Sequence, residues 1–126
     1  MAATAAPRRW HLYVVDPEPR VGTKPRKQRP CLAIQPSEFG AAGLGSTVAL
    51  PLTTNLAPDD AFPLRVRIPA GVCRLARASE VLVDQILAWD NDLFGEDLGI
   101  LPEALQDRIR RALLEFLDLE SGAVHQ

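Results

Sequence analysis

Two short segments of this chain carry residues suited to chemistry on an anion. Gly22-Thr23-Lys24-Pro25-Arg26-Lys27-Gln28-Arg29-Pro30 is basic and turn-rich, and it runs straight into the apolar Cys31-Leu32-Ala33-Ile34. Gly22 and Pro25 break regular structure, and Pro30 stands where the start of a strand tolerates the loss of one backbone donor. A residue before proline is biased toward extended geometry, so Arg29 falls at the seam between loop and sheet, placed to meet a phosphate. Thr53-Thr54-Asn55 follows the apolar run Val48-Ala49-Leu50-Pro51-Leu52. Hydroxyls and an amide at a strand exit bind phosphate or a base edge. On charge and turn chemistry alone, a solvated basic loop and an ordinary turn remain the plainer account of both segments.

Other catalytic constellations are poorly supported. The only histidines are His11, in an apolar run, and His125, the penultimate residue. General acid–base cleavage by a histidine pair needs fixed geometry, which a terminal residue does not provide. Asp90, Asp92, Glu96 and Asp97 cluster without the calcium-loop spacing and read as a solvated acidic turn. No phosphate-binding Walker loop or dinucleotide fingerprint is present. The residues thus call for neither metal nor cofactor.

The elements that must position Arg29 and Thr53 are short. Residues 10–15, 31–34, 47–52, 64–68 and 81–83 read as strands, the fourth alternating apolar and basic, with turn residues between them. From Pro102 the pattern changes. Leu105, Ile109, Ala112, Leu113, Phe116 and Leu117 recur at helical spacing, Glu103 lies near the positive end, and Gly122 closes the helix. The expectation is an α+β domain: a small SH3-like β-barrel of five to seven short strands with one long C-terminal amphipathic helix. Residues 1–9 read as a disordered lead-in, 10–119 as the domain and 120–126 as a flexible tail.

With 126 residues, the chain suits one domain. No apolar stretch approaches a membrane span, and Cys31 and Cys73 lack metal spacing, which suits free thiols in the cytoplasm. Residues 1–67 hold nine Lys/Arg against five Asp/Glu, whereas the remainder holds five against eleven. A net charge of −2 therefore hides a basic functional face.

Taken in order, the segments resemble the MazF/PemK family of toxin endoribonucleases. The resemblance rests on Tyr13-Val14-Val15-Asp16-Pro17, on Gly22-Thr23-Lys24 through Arg29-Pro30, and on Val48 through Asn55. Phe62-Pro63-Leu64-Arg65-Val66, Val83-Asp84-Gln85-Ile86 and the Leu105 to Leu117 helix complete it over about residues 10–119. It implies a cytoplasmic homodimer that cleaves single-stranded RNA without a metal, leaving a 2′,3′-cyclic phosphate and a 5′-hydroxyl, and that a cognate antitoxin neutralises. Carried over, Arg29 and Thr53 are catalytic, while Thr23, Lys24, Arg26, Lys27, Gln28 and Asn55 bind RNA. Lys24 stands where many members carry an acid, a change that favours phosphate. Two other readings use the same barrel. One is a CcdB-like gyrase-binding toxin, disfavoured by a tail without an aromatic residue, and the other is a non-catalytic nucleic-acid-binding module.

Overall fold

The computed structural model describes residues 5–16 and 28–120 of the chain. Seven strands and two helices follow in the order β1 (His11–Val15), β2 (Arg29–Ala33), α1 (Ser37–Ala41), β3 (Ser46–Thr53), β4 (Arg65–Ile68), β5 (Ser79–Leu82), β6 (Leu87–Asp90), β7 (Phe94–Ile100) and α2 (Glu103–Phe116). All pairings are antiparallel, and the path across the sheet is β4-β5-β3-β2-β1-β7, with β6 also paired to β3. β3 changes partner along its length. Its first half pairs with β6, and Leu52 and Thr53 pair with β5.

The α+β class holds, but the expected barrel does not form. Closure requires the two end strands to pair, and β4 and β7 stay unpaired at opposite ends of the path. A 3₁₀ turn after β4 reaches across instead: Cys73 Sγ donates to the Ile100 carbonyl, and the Arg74 guanidinium donates to the Asp97 carbonyl. Side chains rather than a backbone ladder thus meet β7 there.

Strict alternation along the strands makes two buried faces. Leu12, Leu32, Leu50, Leu52, Val66, Ile68 and Val81 form the main core, which Ile109 and Ala112 of α2 cover. Tyr13, Val15, Cys31, Ala33, Ala49 and Phe94 form a smaller core on the opposite face. Residues just ahead of β1 are tied to the fold, because the Arg8 amide donates to the Tyr13 hydroxyl and the Arg9 amide to Ser37 Oγ.

Three further expectations are revised. The acidic segment is not a free turn, because Glu96 and Asp97 lie in β7, paired with β1. Gly95 and Gly99 hid that strand, yet Gly95 is needed where the Val14 carbonyl passes 3.0 Å from the place a Cβ would occupy. Helix α2 ends before Gly122. Asp118 takes the left-handed conformation, and the Leu119 and Asp118 amides donate to the Leu114 and Glu115 carbonyls, a Schellman closure. The last apolar turn is also less covered than its spacing implied, with Phe116 and Leu117 exposed. Among the described residues, no helix is long and apolar enough to cross a membrane.

Candidate active site at the end of the β2–β3 ladder

The ladder between β2 and β3 pairs Cys31 with Pro51, Leu32 with Leu50 and Ala33 with Ala49. Carried two residues beyond Cys31, the same register aligns Arg29 with Thr53. Opposed residues of an antiparallel pair project to the same face, here the face of the smaller core, since Arg29 follows the parity of Cys31 and Thr53 that of Ala49. Arg29 is the first residue of β2, exposed and paired with Val15 of β1. Its guanidinium makes no hydrogen bond or ion pair among the described residues.

Thr53 ends β3, half-buried, and its hydroxyl oxygen accepts the Asn55 amide at 3.1 Å. That bond uses the oxygen as acceptor and leaves the hydroxyl proton for an outside acceptor. Asn55 itself is exposed beside it. Gln28 adjoins Arg29 and is exposed. Thr23, Lys24, Arg26 and Lys27 lie outside the described residues.

An unanticipated cluster adjoins this pair. Thr53 is paired directly with Glu80 of β5, which in turn pairs with Arg67 of β4. Glu80 is only 2% exposed. Its carboxylate accepts from Arg65 Nη1 at 2.9 Å, from Arg67 Nη2 at 2.8 Å, from Arg67 Nε at 3.1 Å and from the Ala57 amide at 2.9 Å. Burial alone would raise this carboxyl, but the Ala57 amide and the two guanidinium groups outweigh it and hold Glu80 below the ordinary range. Arg65 also donates to the Asn55 carbonyl and Arg67 to the Ala57 carbonyl. The cluster therefore fixes the chain just after Thr53. Its signal in the sequence was a single glutamate in an otherwise uncharged strand, Ser-Glu-Val-Leu, with arginine at alternate positions 65 and 67.

Two other reactive groups are removed from the site. His11 lies four residues along β1 from Val15, the partner of Arg29, a separation of roughly 13 Å at strand rise. Its Nδ1 is 3.0 Å from both carboxylate oxygens of Asp97, and the ring stacks on Tyr13. Cys31 is near Arg29 in sequence but inert. Burial pushes its thiol up to about 12 against the lowering pull of Arg29, so no thiolate nucleophile is present at neutral pH.

The sequence profile of PemK-like, MazF-like toxins of type II toxin–antitoxin systems matches residues 8–117. Endoribonuclease MazF6 of Mycobacterium tuberculosis is 34% identical over 111 residues, covering 88% of this chain and 96% of that protein. Endoribonuclease MazF2 of Mycobacterium bovis matches to the same extent. Among solved structures, a MazE–MazF complex from Deinococcus radiodurans superposes with a TM-score of 0.72 at 23% identity, covering 91% of this chain and 98% of that one. A mycobacterial endoribonuclease in complex with its cognate antitoxin gives 0.70 at 24%, covering 93% and 98%. These structural likenesses establish a common fold.

Proposed function

The chain belongs to the PemK-like, MazF-like toxin family of type II toxin–antitoxin systems, and on that premise we propose how its own residues cleave RNA. It is a sequence-specific endoribonuclease toxin whose family cuts mRNA without a metal and is neutralised by an antitoxin. The gyrase-binding and non-catalytic readings are set aside, because the curated relatives are endoribonucleases over nearly the whole chain.

In the proposed reaction, the 2′-hydroxyl of one ribose attacks the adjacent phosphorus in line. The O2′–P bond forms as the P–O5′ bond breaks. The proton lost from O2′ is balanced by the one gained at the departing O5′, so the step is proton-neutral and leaves a 2′,3′-cyclic phosphate and a 5′-hydroxyl. Negative charge grows on the non-bridging oxygens. Arg29 stabilises it with a planar, permanently charged fork, and the Thr53 hydroxyl donates to the same phosphate and orients it. The single feature that supports this division is the β2–β3 register, which, extended two residues past Cys31 and Pro51, brings Arg29, whose guanidinium has no partner among the described residues, opposite a hydroxyl whose proton is unspent.

Thr23, Lys24, Arg26, Lys27 and Gln28 clasp the RNA backbone, and Asn55 reads a base of the splayed strand, since A-form duplex hides base edges. The active form is a cytoplasmic homodimer, and its partners are single-stranded RNA and a cognate antitoxin. Arg29→Lys is the direct test. It should keep the fold and lose at least ~100-fold in cleavage rate, because an ammonium does not reproduce the bidentate guanidinium contact. Near-normal cleavage by Arg29→Lys would refute the assignment.

A further inference from the structure

A cleft of about 270 Å³ opens at Glu80, the ladder partner of Thr53, and is lined by Pro58, Asp60, Arg65, Arg67, Glu80 and Arg108. Arg67 lies two strand spacings from Thr53 through Glu80, about 10 Å. The two β4 arginines face one carboxylate, and Arg108 at the rim is matched by Asp60 at 3.4 Å. The cleft thus keeps one uncompensated positive charge.

The donors are not exhausted either. A guanidinium carries five N–H groups. Among the described residues Arg65 uses only Nη1, leaving its Nε and Nη2 unspent, and Arg67 uses Nε and Nη2, leaving its Nη1. The Arg67 side chain is 48% exposed, whereas that of Glu80 is 3% exposed. Glu80 anchors both guanidinium groups from beneath and leaves their outer edges toward solvent. Such preorganisation lowers the ordering cost of gripping an anion.

We propose that Arg65 and Arg67, braced by buried Glu80, form a second phosphate subsite that holds the RNA strand a short step from the phosphate bound by Arg29 and Thr53. This inference rests on the active site proposed above. The strand crosses β3, β5 and β4 in turn, with the scissile phosphate at the end of the β2–β3 ladder and a flanking phosphate over the β4 arginines. Contacts of this kind set register and affinity without reading sequence.

The test uses a mixed-sequence, single-stranded 2′-O-methyl RNA, which lacks the attacking hydroxyl and is not cleaved. Its affinity is measured as a function of salt for the full-length protein. Arg67→Gln should weaken binding about tenfold, in line with loss of a charge-assisted hydrogen bond, and should flatten the log–log salt slope by roughly 0.7, the value for one phosphate on a single strand. Arg67→Lys should restore the slope but only part of the affinity, a split that a purely structural role would not produce. Should Arg67→Gln fold poorly, the Arg67→Gln/Glu80→Gln double variant removes both charges and should show the same loss of slope. An unchanged affinity and salt slope in the folded variants overturns the subsite. Cleavage is not part of this readout, so failure of Arg29 as the catalytic group is seen separately in the rate of Arg29→Lys.

Discussion

Thr53 on β3 stands directly across the ladder from Glu80 on β5, so the proposed phosphate-orienting hydroxyl adjoins the one carboxylate buried among the described residues. The carboxylate does not face the hydroxyl as a base. Its oxygens are taken up by Arg65, Arg67 and the Ala57 amide. Glu80 acts on Thr53 indirectly by fixing the segment through which Asn55 returns its amide to the Thr53 hydroxyl oxygen.

Thr53→Val keeps the branched shape that suits a strand and removes only the hydroxyl. Cleavage should fall by roughly 10²-fold, as when one preorganised donor to an oxyanion is lost. Thr53→Ser should recover most of that loss, because it restores both the donor and the acceptor for Asn55. Single-turnover rates on one RNA check this. Equal rates for Thr53→Ser and Thr53→Val would show that the methyl, not the hydroxyl, matters at this position.

Glu80→Gln leaves two arginines facing a neutral amide. At pH 7 the variant should be less stable by about 2 kcal/mol, below the 3–5 kcal/mol of a fully buried pair because the arginines are partly exposed. The sign with pH follows from the direction of the shift. Glu80 is held below 4.5 when folded, so its contribution is complete above the unfolded value and is lost as pH falls through the lower folded one. Denaturant unfolding of both proteins between pH 7 and pH 3 checks it. The gap should be constant near neutrality and narrow below pH 4.5. A gap that widens in acid would mean that the carboxyl is raised, not lowered.

The basic loop and the antitoxin should meet on one surface. An acidic, extended antitoxin segment complements a chain whose first 67 residues carry nine Lys/Arg against five Asp/Glu, and such charge matching speeds encounter. Neutralising Arg26 and Lys27 should therefore weaken both RNA and antitoxin, with the salt slope for RNA flattening by roughly 0.7 per residue. A competition titration with non-cleavable RNA checks the overlap. A ternary complex holding both ligands at full affinity would exclude occlusion.

Much of this architecture is legible in the sequence, and what is not has physical reasons. Residues 31–34, 47–52 and 64–68 announce strands because branched and apolar side chains recur between turns, and all three lie in the observed sheet or at its border. β6 and β7 carry no such signal. Leu87-Ala88-Trp89-Asp90 is mostly exposed, and β7 holds two glycines and two acids, so its pairing with β1 is imposed by tertiary context. Barrel closure is equally hidden, because whether β4 meets β7 depends on a turn whose Cys73 and Arg74 adopt positive φ.

A loop–strand seam and a strand exit are local features that make Arg29 and Thr53 candidates, and the family resemblance is what singles them out as catalytic. Their alignment is not local, since register is a property of two strands. Glu80 was missed for the same reason. A lone acid in a strand gains meaning only when the neighbouring strand delivers Arg65 and Arg67 to it.

The most direct test of the whole account is the chemistry of the cut ends. Purified protein is incubated with a long single-stranded RNA in excess chelator, and both sides of every cut are mapped. The account predicts recurrent cuts at one short sequence, each leaving a 2′,3′-cyclic phosphate and a 5′-hydroxyl, and none above background when Arg29→Lys replaces the wild type. Cuts that require added metal, or that leave 5′-phosphate ends, would contradict in-line attack by the 2′-hydroxyl at Arg29 and Thr53.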